Sequence, residues 1–178
     1  MTDADTAETP SAAQEAESCL PAITAQVHEL SITRFIHASP EAVYRVWTER
    51  LGEWWAPKPY TTPVVELDLR PGGRGLMEMR APDGTRMPHE GVFLEVVPNR
   101  KIVSTNAFTA GWIPQEPFMV AIWTFEPEGA GTRYTARVRH WSAEATKRHE
   151  DMGFHVGWGI VTDQLAAIAE ERVAAAAA

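Results

Sequence analysis

The sequence predicts an α+β domain in which a curved antiparallel sheet wraps around one long C-terminal helix, with two short helices after the first strand. Three observations predict it. Segments with the two-residue period of half-buried strands recur from Val27 to Trp141. Turn-forming residues separate them at short intervals, so successive strands pair as an antiparallel meander. Last, Phe154, Trp158, Val161, Leu165 and Ile168 follow one another at helical spacing, and the apolar stripe they make needs a cover that only the sheet is large enough to supply.

Taken in order, Val27 to Ile36 alternates Leu30, Ile32 and Arg34 against Ser31, Thr33 and Phe35, the pattern of a long opening strand. The period then changes. Ser39 is a good N-cap, Pro40 stands at the first helical position where its missing N–H costs little, and Val43, Val46 and Trp47 recur at helical spacing. Leu51, Trp54 and Trp55 continue that face after a break expected near Gly52, and Pro57 and Pro59 stop the helix. Val65, Leu67 and Leu69 alternate with Glu66 and Asp68. The glycine-dense stretch Leu69 to Gly75 follows, and beyond it Met77 and Met79 alternate with Glu78 and Arg80. Because strands flank this turn on both sides, it is a hairpin and not a phosphate cradle, which needs a helix N-terminus to aim N–H groups at the anion. Further strands are expected at Leu76 to Ala81, His89 to Val97, Ile102 to Phe108, Phe118 to Phe125 and Thr132 to Trp141. Asp83-Gly84, Pro98-Asn99 and Gly129-Ala130-Gly131 supply turns between them. The longer loop Thr109 to Pro117, with Gly111, Trp112 and Pro114, is expected to rim a pocket. Ser142 caps a new helical region, interrupted at Gly153 before the final helix.

Composition bounds what such a domain does. With 178 residues and 44% apolar content the chain can bury a core without disulfide or metal. Its single cysteine, Cys19, excludes an intramolecular disulfide and suits a cytoplasmic location. Neither a secretory signal nor an apolar run long enough to cross a bilayer is found. Of the formal net charge of −8, the stretch before Val27 carries Asp3, Asp5, Glu8, Glu15 and Glu17 and no Lys or Arg. Residues 1–26 therefore read as a disordered acidic tail, 27–173 as the domain, and 174–178 as an alanine-rich end. The domain is mildly acidic with no basic stripe, which excludes nucleic acid as its partner.

The ordered pieces Ser39-Pro40-Glu41-Ala42-Val43-Tyr44 with Trp47, Trp54-Trp55, Leu69-Arg70-Pro71-Gly72-Gly73, Gly91 with Glu95 and Pro98, Gly131-Thr132-Arg133, and Gly157-Trp158 make the chain resemble a family. From about Glu29 to Arg172 it is similar to the SRPBCC or START-like (Bet v 1-like) superfamily, in the branch of the activator of heat-shock protein 90 ATPase. That resemblance implies the helix-grip fold and a deep apolar cavity between sheet and helix that takes small hydrophobic molecules. It also implies two alternatives: a polyketide cyclase- or aromatase-like enzyme, and a co-chaperone-like interaction domain acting on a heat-shock protein 90 homologue.

Candidate site residues follow from which strand faces look inward. Tyr134, Ala136, Val138 and His140 share one face of their strand, as do Met119, Ala121, Trp123 and Phe125 of the one before. With Trp54, Tyr60, Met77, Met79, Phe154, His155 and Trp158, the residues Trp123, Tyr134, Val138 and His140 are the expected pocket lining. His140, His155 and Tyr134 are the acid–base candidates. Gly157 and Gly159 inside a helix ask either for close packing or for open volume. His149 and His155 are not four residues apart and no Cys joins them, so neither a metal nor a cofactor is expected. Asp68, Glu78 and Glu66 read as solvated sheet charges, and Glu95 as a structural one. Cys19 in the tail, the absence of a Gly-x-Ser-x-Gly turn, and a Ser104 without a base speak against a hydrolase. A homodimer is left open.

Overall fold

A seven-stranded antiparallel sheet forms most of the molecule. The computed structural model describes residues 26–176, so the expected acidic tail lies, but for its last residue, outside the described residues. Strand β1 (His28–Ile36) is followed by helices α1 (Pro40–Glu49) and α2 (Leu51–Trp54). Strands β2 (Thr61–Leu67), β3 (Arg74–Arg80), β4 (Arg86–Val97) and β5 (Lys101–Thr105) come next. A small hairpin, β6 (Phe108–Thr109) and β7 (Ile113–Pro114), precedes β8 (Val120–Glu128) and β9 (Gly131–His140). Helices α3 (Ala143–Asp151) and α4 (Phe154–Ala176) close the chain. The sheet order is β1-β9-β8-β5-β4-β3-β2, and the curved sheet with the C-terminal helix in its grasp is the helix-grip fold.

Local chemistry sets these elements where the sequence places them. Ser39 Oγ accepts from the Ala42 N–H at 3.3 Å and Pro40 opens α1, while Val43, Val46 and Trp47 turn inward. Ser142 caps α3 in the same way, its Oγ accepting from the Ala145 N–H at 3.1 Å. The expected break near Gly52 is present and falls at Arg50, two residues earlier. Gly52 lies within α2, where a Cβ would come 2.9 Å from the Thr62 carbonyl oxygen; the residue is there so that β2 can start against the helix. The glycine turn joins β2 to β3 as expected, with Gly72 at φ 76° and the indole of Trp112 lying over it.

Several strand ends and one charge differ from expectation: β4 starts at Arg86, before His89, and β8 runs from Val120 to Glu128 instead of from Phe118 to Phe125. Strand β5 stops at Thr105 instead of continuing to Phe108, because Asn106 turns its side chain back: Oδ1 accepts from the Phe118 and Met119 N–H groups, both at 3.0 Å. The segment between folds into the β6–β7 hairpin. Glu78 is not a solvated charge. It is 4% exposed, with Arg80 and Arg86 bonded to its carboxylate, and those guanidiniums, Arg86 first, hold its pKa below the usual range. Glu66 and Asp68 are exposed as expected, and Glu95 pairs with Lys101 at 2.8 Å.

Helix α4 buries Phe154, Val161, Leu165 and Ala169 against the sheet and α1, and each fully buried large apolar side chain adds roughly 1.5–3 kcal/mol. Polar ties fix its position. Gln164 donates to the Trp54 and Ala56 carbonyls at 2.7 and 3.0 Å, Arg34 of β1 pairs with Asp163 at 2.8 Å, and Glu170 accepts from the His37 N–H at 2.9 Å. The helix is thereby held over the β1 side of the sheet and against α1.

Candidate functional site

Where the first turns of α4 diverge from β3 and β4, the structure holds a chamber of about 740 Å³. A recess of about 260 Å³ adjoins it, and Trp55, Met77, His89, Asn106, Phe118 and Met119 border both. The volume lies in the ordinary range of small-molecule sites. Its walls come from the end of α2 (Trp55), the inner faces of β3 and β4 (Met77, Met79, His89), the segment before β8 (Glu116 to Met119), and the α3–α4 junction (Arg148 to Trp158).

The chamber stays open because large residues fill one side of the interior and glycine empties the other. Trp47, Trp54, Trp55, Trp123 and Trp158 form a contiguous cluster, with Trp47 and Trp123 rings 5.0 Å apart and Trp55 and Trp158 rings 5.7 Å apart. Beyond this cluster Gly157 faces the chamber, and a Cβ there would meet nothing within 4 Å. Of the two explanations for that glycine, open volume is the one the structure supports.

The expected lining residues separate into three groups. Met77, Met79, Phe154 and Trp158 border the chamber, and Trp123 borders the recess. Trp54, Tyr134 and Val138 lie in the closed core, each 1% exposed or less, and border neither cavity; burial raises the Tyr134 phenol far above its ordinary pKa. Trp54 is turned away because its indole donates to the Val46 carbonyl at 3.3 Å, which leaves Trp55 to face the chamber. Tyr60 is 40% exposed and lies outside both cavities. His155 points to solvent, 3.7 Å from Glu150. Of the loop expected as a rim, Glu116 and Pro117 reach the chamber, whereas Trp112 and Ile113 are exposed.

Sequence reasoning missed the residue that matters most, His149. It is the one buried residue of α3, borders the chamber, and places Nδ1 3.1 Å from Nε2 of His140. His140 in turn holds the Phe118 carbonyl at 2.8 Å through Nδ1, and is 7% exposed without bordering the chamber itself. The Phe118 residue is thus gripped twice, its N–H by Asn106 and its carbonyl by His140. Burial, and after it the neighbouring His140, lower the His149 pKa to about 4, so its imidazole is neutral at physiological pH. Partial desolvation also lowers the pKa of His89 on the opposite side, although that residue stays exposed. Arg148 lies over the Phe118 ring, 5.2 Å from its centroid.

Residues 37–170 match the family described as Activator of Hsp90 ATPase homolog 1-like protein. The chain belongs to that family. Among solved structures, a Nitrosomonas europaea protein is 36% identical with a TM-score of 0.79, over 85% of this chain and 99% of that one. A Mycobacterium smegmatis protein is 26% identical with a TM-score of 0.68, over 80% and 94% of the two chains. An AHSA1 protein from Silicibacter pomeroyi is similar in fold, with a TM-score of 0.60 at 24% identity over 78% and 95%. No curated protein matches. For this family member, no described helix is long and apolar enough to cross a membrane, and the described residues contain no cluster of three metal-binding side chains.

What the site can do chemically follows from its walls. Most of the lining is aromatic, thioether or aliphatic, which favours a ligand with an apolar body. A few polar groups, His89, Asn106, Glu116, Arg148 and His149, stand among them and are able to orient it.

Proposed function

We propose that this protein binds a small hydrophobic or aromatic molecule in the chamber between the sheet and the C-terminal helix, within the cytoplasm. The observation that carries the reading is the open space itself: about 740 Å³ walled by Trp55, Met77, Phe118, Phe154 and Trp158, with Gly157 facing it across open space. Close-packed interiors leave few voids larger than a water molecule, so a space this size within a tryptophan-rich core is a feature a ligand explains. Native mass spectrometry of the protein purified from its source cell tests it. The expected result is a mass above that of the chain that is lost on denaturation. A bare chain that also shows no saturable binding of a naphthyl fluorophore overturns the proposal.

A second reading, an enzyme of the polyketide cyclase or aromatase kind, has the His149–His140 pair in its favour, since a neutral imidazole at an apolar chamber is a proton acceptor. Turnover of an aromatic precursor that survives in a His149→Phe, His140→Gln double variant removes these residues from such a mechanism. A third, action on a heat-shock protein 90 homologue, rests on the family's description. An unchanged ATPase rate of the purified homologue on addition of this protein would retire it.

A further inference from the structure

Valence assigns the hydrogens of the two chamber-side histidines. A carbonyl oxygen only accepts, so the contact of 2.8 Å between His140 Nδ1 and the Phe118 oxygen puts a hydrogen on Nδ1. In the neutral ring Nε2 is then an acceptor, and His149 Nδ1, 3.1 Å away, must be the donor. His149 Nε2 is left with a lone pair and makes no hydrogen bond with the described residues, although the residue is only 7% exposed. The company is apolar: the rings of Phe118, Phe154 and Trp158 lie 4.9, 5.1 and 6.1 Å from the imidazole. An acceptor so placed opens only onto the chamber it borders, where water or a donor group of a bound molecule is its partner.

A second group narrows the choice. Asn106 borders both chamber and recess, and its Oδ1 is committed to the Phe118 and Met119 N–H groups. That fixes the amide orientation and leaves the amino hydrogens free to donate. Asn106 and the histidine pair are both tied to Phe118, so an acceptor and a donor are anchored to one stretch of wall. A hydroxyl group donates and accepts through a single oxygen and so matches both, whereas an indole N–H matches only the first.

We propose that the molecule held in this chamber is an aromatic one bearing a hydroxyl group, a phenol or fused-ring analogue of it, whose O–H donates to His149 Nε2 while its ring packs among Phe118, Phe154 and Trp158. This rests on the ligand-binding reading above and specifies its polar half.

Titration calorimetry of the full chain with 1-naphthol and with 1-methoxynaphthalene tests it, because the methyl ether keeps the ring and removes the donated hydrogen. The wild-type protein is expected to bind 1-naphthol about tenfold more tightly. His149→Phe is expected to abolish that preference while still binding the ether. Equal affinities in the wild type overturn the hydroxyl assignment and leave the ligand-binding reading standing; binding of neither overturns both. Should His149→Phe not fold, ¹⁵N NMR of the wild-type ring decides. Addition of 1-naphthol should move the His149 Nε2 resonance and leave Nδ1 nearly in place, and an unmoved Nε2 refutes the contact.

Discussion

The protonation of His149 provides the most direct quantitative handle on the site. In the unfolded chain its imidazole takes a proton near pH 6.5, whereas in the folded protein burial among aromatic rings, with His140 beside it, delays protonation to about pH 4. Between those values the unfolded state binds more protons, so the stability present above pH 6.5 is lost progressively as pH falls toward 4. At 1.36 kcal/mol per pH unit the window corresponds to an upper bound of about 3 kcal/mol. Because the chamber beside the ring admits water, screening reduces the expected loss to about 1–2 kcal/mol. The perturbation is His149→Phe, which keeps an aromatic ring there and removes the titration. Urea unfolding at pH 7.5 and pH 5.0 should show the wild type losing about 1 kcal/mol more than the variant over this interval. The lowered pKa of His89 acts in the same direction but is common to both proteins and cancels. Identical pH slopes, or an NMR titration of His149 centred at 6.5 or above, would refute the reasoning.

Other outcomes follow from the packing. Gly157→Leu should keep or slightly raise helix stability, by up to about 1 kcal/mol, while weakening a naphthyl probe at least tenfold, because the new side chain grows into open chamber; far-UV circular dichroism with fluorescence titration checks both. Leu165, fully buried between α4 and the sheet, should cost about 2–5 kcal/mol when replaced by Ala, measured by urea unfolding. Glu78→Gln should lower the thermal midpoint at pH 7 and flatten its acid limb, since the carboxylate that Arg86 and Arg80 hold ionised contributes stability above the ordinary carboxyl pKa that is lost as pH falls through its lowered folded value; thermal melts from pH 7 to pH 3 report it.

Much of the fold is a consequence of chain-local patterning. Alternation placed β1, β8 and β9 and chose the inward faces of β8 and β9 correctly, down to Ala121, Trp123 and Phe125 on one strand and Ala136 and Val138 on the next, because side chains of a strand must point alternately to its two faces. Turns at Gly84, Asn99 and Gly129 adopt positive φ where the turn residues predicted reversals. The stripe from Phe154 through Val161 to Leu165 likewise set the buried face of α4, and the ordered pieces from Ser39 to Trp158 carried the family.

The site obeyed a different logic. Trp54 and Trp55 are neighbours in the chain, and which one meets the chamber depends on an indole bond to Val46 that no periodicity encodes. Helix α3 has no apolar stripe, so nothing local marked His149 as its inward residue; the nearest signal was His140 on an inward strand face, nine positions earlier and in a different element. Glu78 alternates like a surface charge yet is buried, because Arg86 reaches it across a β3–β4 pairing that exists only once the hairpin has closed, joining Arg80 from its own strand. By itself, then, the amino-acid order determined which segments are strands and helices, which faces they bury and which family they make, since those follow from backbone period and turn preference within a few residues. Where the interior is left empty, and which polar atoms are brought to its edge unpaired, was decided only by how α4 and the segment at Phe118 settle against the sheet, because void space and hydrogen-bond completion are properties of groups far apart in the chain.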